Sequence, residues 1–176
     1  MNKHPRFTPN VFRLAVLAMA LAGGGSAIAA EQVASSTGTV VSPIQLTKAV
    51  DLVFGSFAPG AALGTVTLGT NGTRGVTGGV VGLAGATSAA RFDVAGLADA
   101  TYSINVVATP LSSGGNTMTF TPAIALTASA ASTGSVASGT LTGGAQSIFV
   151  GGVLQVAANQ AAGTYSGTVT ATVEYN

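Results

Sequence analysis

The chain has 176 residues, enough for one domain with a hydrophobic core, but only 6% of them are charged. It contains no cysteine, no tryptophan and a single histidine. These counts exclude disulfides and thiol chemistry, and so few cations cannot form the basic surface that nucleic-acid binding requires.

The N-terminus has the three parts of a secretory signal peptide. Cationic residues come first, an apolar run spans 14–22, and small residues follow. The run is shorter than the roughly 20 residues that cross a bilayer. We therefore expect cleavage after Ala29 or Ala30, which removes residues 1–30 as a signal peptide. Residues 31–176 would remain as a single β-sandwich domain with no membrane span.

Strand signals dominate the first half of the remaining chain. Alternation over 89–95 and 101–108 places every second residue on a core, and Asn71-Gly72 between strands predicts a type I′ hairpin turn. Pro43 interrupts the N-terminal strand signals. The strands predicted over this half are 40–41, 43–46, 50–55, 65–68, 89–95, 101–108 and 117–120.

The second half ends in the clearest strand of the chain. Residues 123–144 are rich in small and hydroxyl side chains and predict a loop plus an edge strand. A strand over 147–156 contains Gly151-Gly152, which predicts a bulge. Strict alternation over 164–175 predicts a long strand with one apolar row on the core. Many short strands and little helix predict an all-β, antiparallel, immunoglobulin-like β-sandwich.

Catalytic and metal-binding residues are scarce. The only histidine, His4, leaves with the signal peptide, and the mature net charge becomes 3 − 5 = −2. Without His or Cys, Ser-His-Asp and Cys-His catalysis and His-ligated metals are excluded. Asp93 and Asp99 are the nearest pair for acid–base work, and solvated surface acids are the favoured interpretation. We predict no enzyme, no catalytic or metal site and no cofactor.

Two segments resemble parts of bacterial pilins. The last strand has Gly163 fourteenth from the end and Tyr175 in the penultimate place, which is similar to the C-terminal pattern of chaperone–usher pilins. Residues 51–57, Asp-Leu-Val-Phe-Gly-Ser-Phe, resemble an early segment of spore coat protein U-type domains of archaic pilins. Residues 43–57, 150–156 and 163–169 together resemble a domain family of unknown function found in exported, pilin-like bacterial proteins.

The resemblance implies a structural cell-surface subunit, pilin- or fimbria-like, that assembles with copies of itself by β-strand exchange. A donated strand would complete the sandwich, and a periplasmic chaperone would be a transient partner. The protein would pass through the periplasm and end on the cell surface or outside the cell. The candidate assembly residues are Val33, Val40, Val41, Ile44, Leu46, Gly163 and Tyr175.

Two alternatives remain open. The segment 33–41, extending into Ile44 and Leu46, could pair within its own domain as an ordinary first strand. The protein could then be a self-complete, monomeric secreted sandwich, either a matrix or coat component or a carbohydrate- or ligand-binding module. Most of its few aromatic residues fall at core-facing positions, which argues against a sugar-binding platform.

Overall fold

The structure, a computed structural model, describes residues 29–176, so most of the predicted signal peptide lies outside it. Residues 29–38 belong to a unit separate from Thr39–Asn176 and contain no strand or helix. No α-helix occurs in the described range, and one short 3-10 turn spans Thr142–Gly144. The strands are β1 (Gln45–Val50), β2 (Phe57–Ala58), β3 (Gly64–Leu68), β4 (Arg74–Gly78), β5 (Val81–Gly82), β6 (Ala90–Ala95), β7 (Thr101–Ala108), β8 (Leu111–Ser113), β9 (Asn116–Met118), β10 (Phe120–Ala125), β11 (Ser138–Thr140), β12 (Ala145–Val156) and β13 (Val169–Tyr175).

Two antiparallel sheets form the body of the domain. One has the order β1-β6-β12-β3-β4, with β10 also paired to β12. The other has the order β11-β7-β13. Two small pairs, β2 with β5 and β8 with β9, stand beside them. The predicted all-β antiparallel sandwich is confirmed.

The main core lies between the two sheets because alternate residues of their central strands face each other. In β6 these residues are Ala90, Phe92 and Val94, and in β7 they are Tyr102 and Ile104. All five are buried, as the alternation predicted. Residues from β10 and β12 complete the same cluster, so one apolar layer joins both sheets.

Strand β12 connects this core to a second one. Its first half pairs with β6 and its second half pairs with β3, while β10 pairs along the other edge. The partner changes at the predicted bulge, where Gly152 has a φ of 144°. A side chain at Gly151 would meet the backbone carbonyl of Leu68. The second core, beyond this point, includes Val66, Leu154 and an edge-to-face pair of Phe54 and Phe120.

The C-terminal strand is shorter than the predicted 164–175. Strand β13 begins at Val169, and before it Ser166 forms only an isolated bridge with Ser112. The Tyr165 hydroxyl donates to the Ala161 carbonyl at 2.9 Å, which ties the chain into a loop. The sequence alternation therefore extends beyond the strand itself, into residues 164–168, where the pairing partner changes from β7 to β8.

The N-terminal strands also differ from the prediction. Residues 40–44 form no strand, and β1 covers Gln45–Val50. The predicted strand over 50–55 is reduced to a bridge between Val53 and Ser88. Gly55 has a φ of 72°, which is incompatible with a strand and turns the chain at this point.

Two smaller predictions were wrong in detail. The predicted strand 117–120 spans the junction of β9 and β10, with Thr119 outside both. The β3–β4 connection is not a type I′ turn, because Gly72 donates its N–H to the carbonyl of Gly69 and Asn71 keeps a negative φ. The Asn71 side chain instead accepts the N–H of Thr73 at 2.9 Å.

Candidate assembly groove

The edge strands β1 and β13 border an incompletely covered part of the core. Each is the last strand of its sheet. Neither contains a buried residue, although the neighbouring strands β6 and β7 do. In β13 the inward residues Val169, Ala171, Val173 and Tyr175 are only half-buried, and Thr170, Thr172 and Glu174 are exposed.

The opening between these strands is a groove of about 320 Å³. Residues of the segment 48–52 line one side, and residues 166–169 line the other. Its floor includes the core residues Ala90, Phe92 and Phe120. We call this opening the groove; it gives access to the layer that joins the two sheets.

The groove continues into a wider cleft of about 720 Å³. The two share Leu52, Phe54, Leu111 and Tyr165 as lining residues. The cleft adds mostly apolar side chains and the loop that precedes β13; these further residues include Phe57, Met118, Leu154, Gln160 and Gly163.

Arg74 holds one wall of the cleft in place. Its guanidinium donates to the carbonyls of Phe54 at 3.1 Å, Ser56 at 2.9 Å and Leu83 at 2.5 Å. The Gly55 position lies so close to Nη1 that a side chain there would collide with it. A half-buried cation thus fixes three backbone carbonyls of an irregular segment.

Tyr175 connects the two edge strands at their other end, away from the groove. Its hydroxyl accepts the N–H of Leu97 at 2.6 Å and donates to the carbonyl of Ser42 at 3.0 Å. Ser42 lies just before β1, so one side chain of β13 contacts the start of the facing edge strand. The two edges are therefore joined at this end, while the other end opens into the cleft.

The candidate assembly residues occupy three different places. Val33, Val40 and Val41 are exposed and lie in no strand. Ile44 and Leu46 are half-buried against the main core, and Leu46 lies opposite Val94 in the β1–β6 ladder of its own chain. Tyr175 contacts the chain just before β1 through its hydrogen bond to the Ser42 carbonyl. Gly163 lies in the loop that lines the cleft.

Sequence reasoning missed two parts of this site. The alternation predicted that the inward row of β13 faces the core but gave no signal that this row borders a groove, and Leu52, in an irregular segment, lines the groove without any signal of its own. Arg74 has no such signal, because it is a single cation in a Gly-rich stretch.

The buried Tyr102 hydroxyl is the clearest perturbed group. It forms no hydrogen bond with any described residue, and Gly139 packs against its ring. Burial raises the pKa of the Tyr102 hydroxyl above its ordinary value near 10. Tyr102 belongs to the core and does not line the groove.

Two acidic side chains of the described range form individual polar contacts. Over residues 29–176, His, Cys, Asp and Glu form no group of three that could hold a metal ion. Asp93 accepts a hydrogen bond from Ser147 at 2.7 Å, and Lys48 pairs with Asp51 on the surface. Nor does any helix there reach the length and hydrophobicity that crossing a bilayer requires.

Comparison with models of known protein families identifies the family of this chain. A model described as "Domain of unknown function (DUF4402)" matches residues 44–175. The chain belongs to the DUF4402 family. The matched region of this DUF4402 domain begins directly before β1 and includes every strand through β13. Searches of curated proteins and of solved structures gave no match.

Proposed function

We propose that this DUF4402 protein is a non-catalytic structural subunit that is exported and assembles at the cell surface by β-strand exchange. Residues 33–41, called here the donor segment, would enter the groove of a second copy and pair with the free edge of β13. The polymer would be pilin- or fimbria-like, and residues 1–30 would direct export.

The observation that carries this proposal is the pair of facing edge strands without a buried residue. A sandwich usually covers the core at its sides, and here the inward row of β13 is only half-buried. One additional strand between β1 and β13 would cover that row and satisfy the backbone groups at the edge of β13.

The donor segment has suitable length and composition. Nine residues in strand conformation span roughly 30 Å, and the seven residues of β13 span roughly 23 Å. The segment has no charge, no proline and three exposed valines, which can alternate between groove and solvent. Because groove residues would be exposed before exchange, a periplasmic chaperone that covers them is part of the proposal.

The edge of β13 lacks the features that normally prevent pairing. Native edge strands are commonly protected by lysine, proline or bulges. Strand β13 has none of these and carries one charge, Glu174, on its outward face. Such an edge favours pairing with another strand.

The first experiment is an SDS gel of protein sheared from producing cells, run unheated and after boiling in acid. Strand-exchanged polymers resist detergent, so an unheated ladder should collapse to one band near the mature mass. A single monomer band in both lanes would contradict the proposal.

A pair of β13 variants tests the groove directly. Ala171→Arg places a long cationic side chain on the inward row and should abolish the ladder. Thr172→Arg places the same side chain on the exposed face and should retain it. Equal ladders from both variants would show that the groove is not the assembly site.

The cleft favours a second function, that of a self-complete secreted sandwich acting as a ligand-binding, coat or matrix protein. Its volume of about 720 Å³ falls within the range of roughly 300–1,000 Å³ typical of small-molecule sites. Phe57, Met118 and Tyr165 supply an apolar lining. This function predicts a monomer that folds alone and gives no ladder even in the parent protein.

A further inference from the structure

The Tyr175 hydroxyl joins three distant parts of the chain. It lies at the end of β13, accepts the Leu97 N–H from the β6–β7 connection, and donates to the Ser42 carbonyl. Its ring packs against the main core, beside Leu141. A side chain at Gly96 would collide with the hydroxyl, so glycine leaves the space that the ring needs. Ser42 is therefore held where the chain enters β1.

This contact matters because β1 and β13 run in opposite directions. Ser42, before β1, contacts Tyr175 at the end of β13, and residues 48–52 lie across the groove from residues 166–169 at the start of β13. For a chain to fill its own groove, residues 33–41 would have to reverse direction at residues 42–44. They would then run antiparallel to β1 and parallel to β13, and Ser42 would have to leave Tyr175.

Pro43 independently opposes that reversal. Two-residue hairpin turns need a positive φ at the first central residue, and in type I′ at both. The proline ring fixes φ near about −65°, so Pro43 cannot be the first central residue or any residue of a type I′ centre. If Pro43 were second, Ser42 would need a positive φ, although a residue before proline prefers extended backbone.

We infer that Tyr175 and Pro43 are positioning residues that keep the groove closed to the chain's own donor segment and available to a second copy. The inference rests on the proposed function. It adds that the contact of Ser42 with Tyr175 favours exchange between two chains over insertion of a chain's own donor segment. Tyr175 fixes the place where the chain enters β1, and Pro43 removes the tight turn that would bring residues 33–41 back.

The absence of cysteine in the chain permits an unambiguous cross-linking test. Ser36→Cys and Thr170→Cys place one thiol in the donor segment and one on the exposed face of β13, and a flexible bismaleimide joins them. A link within one chain keeps the monomer mass and is independent of concentration. A link between chains gives dimers and larger species.

In the parent background, links between chains should predominate. Tyr175→Phe keeps the ring and removes both hydrogen bonds, and Pro43→Gly restores the turn. Each change should raise the ratio of intrachain to interchain product about tenfold, equivalent to about 1.4 kcal/mol. The matched control is Thr87→Val, which also removes a hydroxyl that donates to a backbone carbonyl, that of Gly72 at 2.9 Å, outside both the groove and the cleft, and should leave the ratio unchanged.

The outcomes separate this inference from the proposed function. A parent that assembles while both variants keep its ratio overturns the positioning role and leaves strand exchange intact. A parent linked mainly within its own chain also overturns it. A parent that gives no interchain product contradicts strand exchange. Even then, a rise of the intrachain product in the variants would support the role of Tyr175 and Pro43. Pro43→Gly changes an exposed residue outside the strands, so it remains informative if Tyr175→Phe fails to fold.

Discussion

The period of a β-strand predicts which valines of the donor segment enter the groove. Because side chains alternate, Val33 and Val41 share one face and Val40 lies on the other. The face with two valines buries more apolar area, so we expect it to point inward. Before exchange, the exposed fractions are 89% for Val33, 48% for Val41 and 99% for Val40.

These fractions give the size of the expected effect. Full burial of a valine contributes about 1.5–3 kcal/mol. Val33 would gain nearly all of this and Val41 about half, because Val41 is already half-covered. The double change Val33→Ser, Val41→Ser should therefore weaken association by about 2–4 kcal/mol, or roughly 30- to 1,000-fold. Val40→Ser should change it less than about threefold.

Sedimentation velocity over a range of protein concentrations measures the association of these variants. The matched control replaces Val76 and Val107, which are 39% and 59% exposed outside the groove, with Ser. The control should associate like the parent. A larger effect of Val40→Ser than of the double change would reverse the assigned face. A double change that behaves like the control would refute the donor segment.

Four further substitutions test single contacts by denaturant unfolding of the chain. Arg74→Ala leaves three carbonyls without their donor and should lower the free energy of unfolding by about 2 kcal/mol; an unchanged midpoint would contradict its anchoring role. Leu154→Ala, at a fully buried position, should cost about 3 kcal/mol, and a loss below about 1 kcal/mol would mean that the second core is loosely packed. Gly152→Ala should cost about 2 kcal/mol because its φ of 144° disfavours any side chain, and a neutral result would contradict this backbone geometry. Tyr102→Phe should raise stability by about 1 kcal/mol, because the buried hydroxyl has no partner among the described residues. Because burial raises the pKa of Tyr102 in the folded protein, the parent keeps its full free energy of unfolding below about pH 10 and loses part of it as the pH rises from there towards the folded pKa. Tyr102→Phe should lack that loss. Identical pH profiles of parent and variant would contradict this assignment.

Local alternation predicted the centre of the sandwich accurately. Strand β7 has the predicted bounds, β6 differs by one residue, and the inward residues Phe92, Tyr102 and Ile104 are buried. Such strands are predictable because both faces have a fixed environment, one apolar and one aqueous. Strand β4 was missed because Arg74–Gly78 has two glycines and one apolar side chain.

The groove required information that alternation does not contain. The pattern of β13 assigns Val169, Ala171 and Val173 to the inward face, but not the half-burial that results from a missing neighbour. The contact of Tyr175 with Ser42 joins residues 133 positions apart. Arg74 recognises backbone carbonyls, which every sequence supplies, so no partner residue could have indicated its role.

The two proposed functions make different demands on the same edge. A monomer that stays single must protect the free backbone groups of β13, and edge strands usually do so with lysine, proline or a bulge. Strand β13 lacks all three, and the nearest lysine, Lys48, lies on the other side of the groove, where it pairs with Asp51. Tyr175 and Pro43 oppose the one occupant that each chain always carries, its own donor segment. An unprotected edge that its own chain cannot readily fill fits a subunit completed by a second copy better than a monomer.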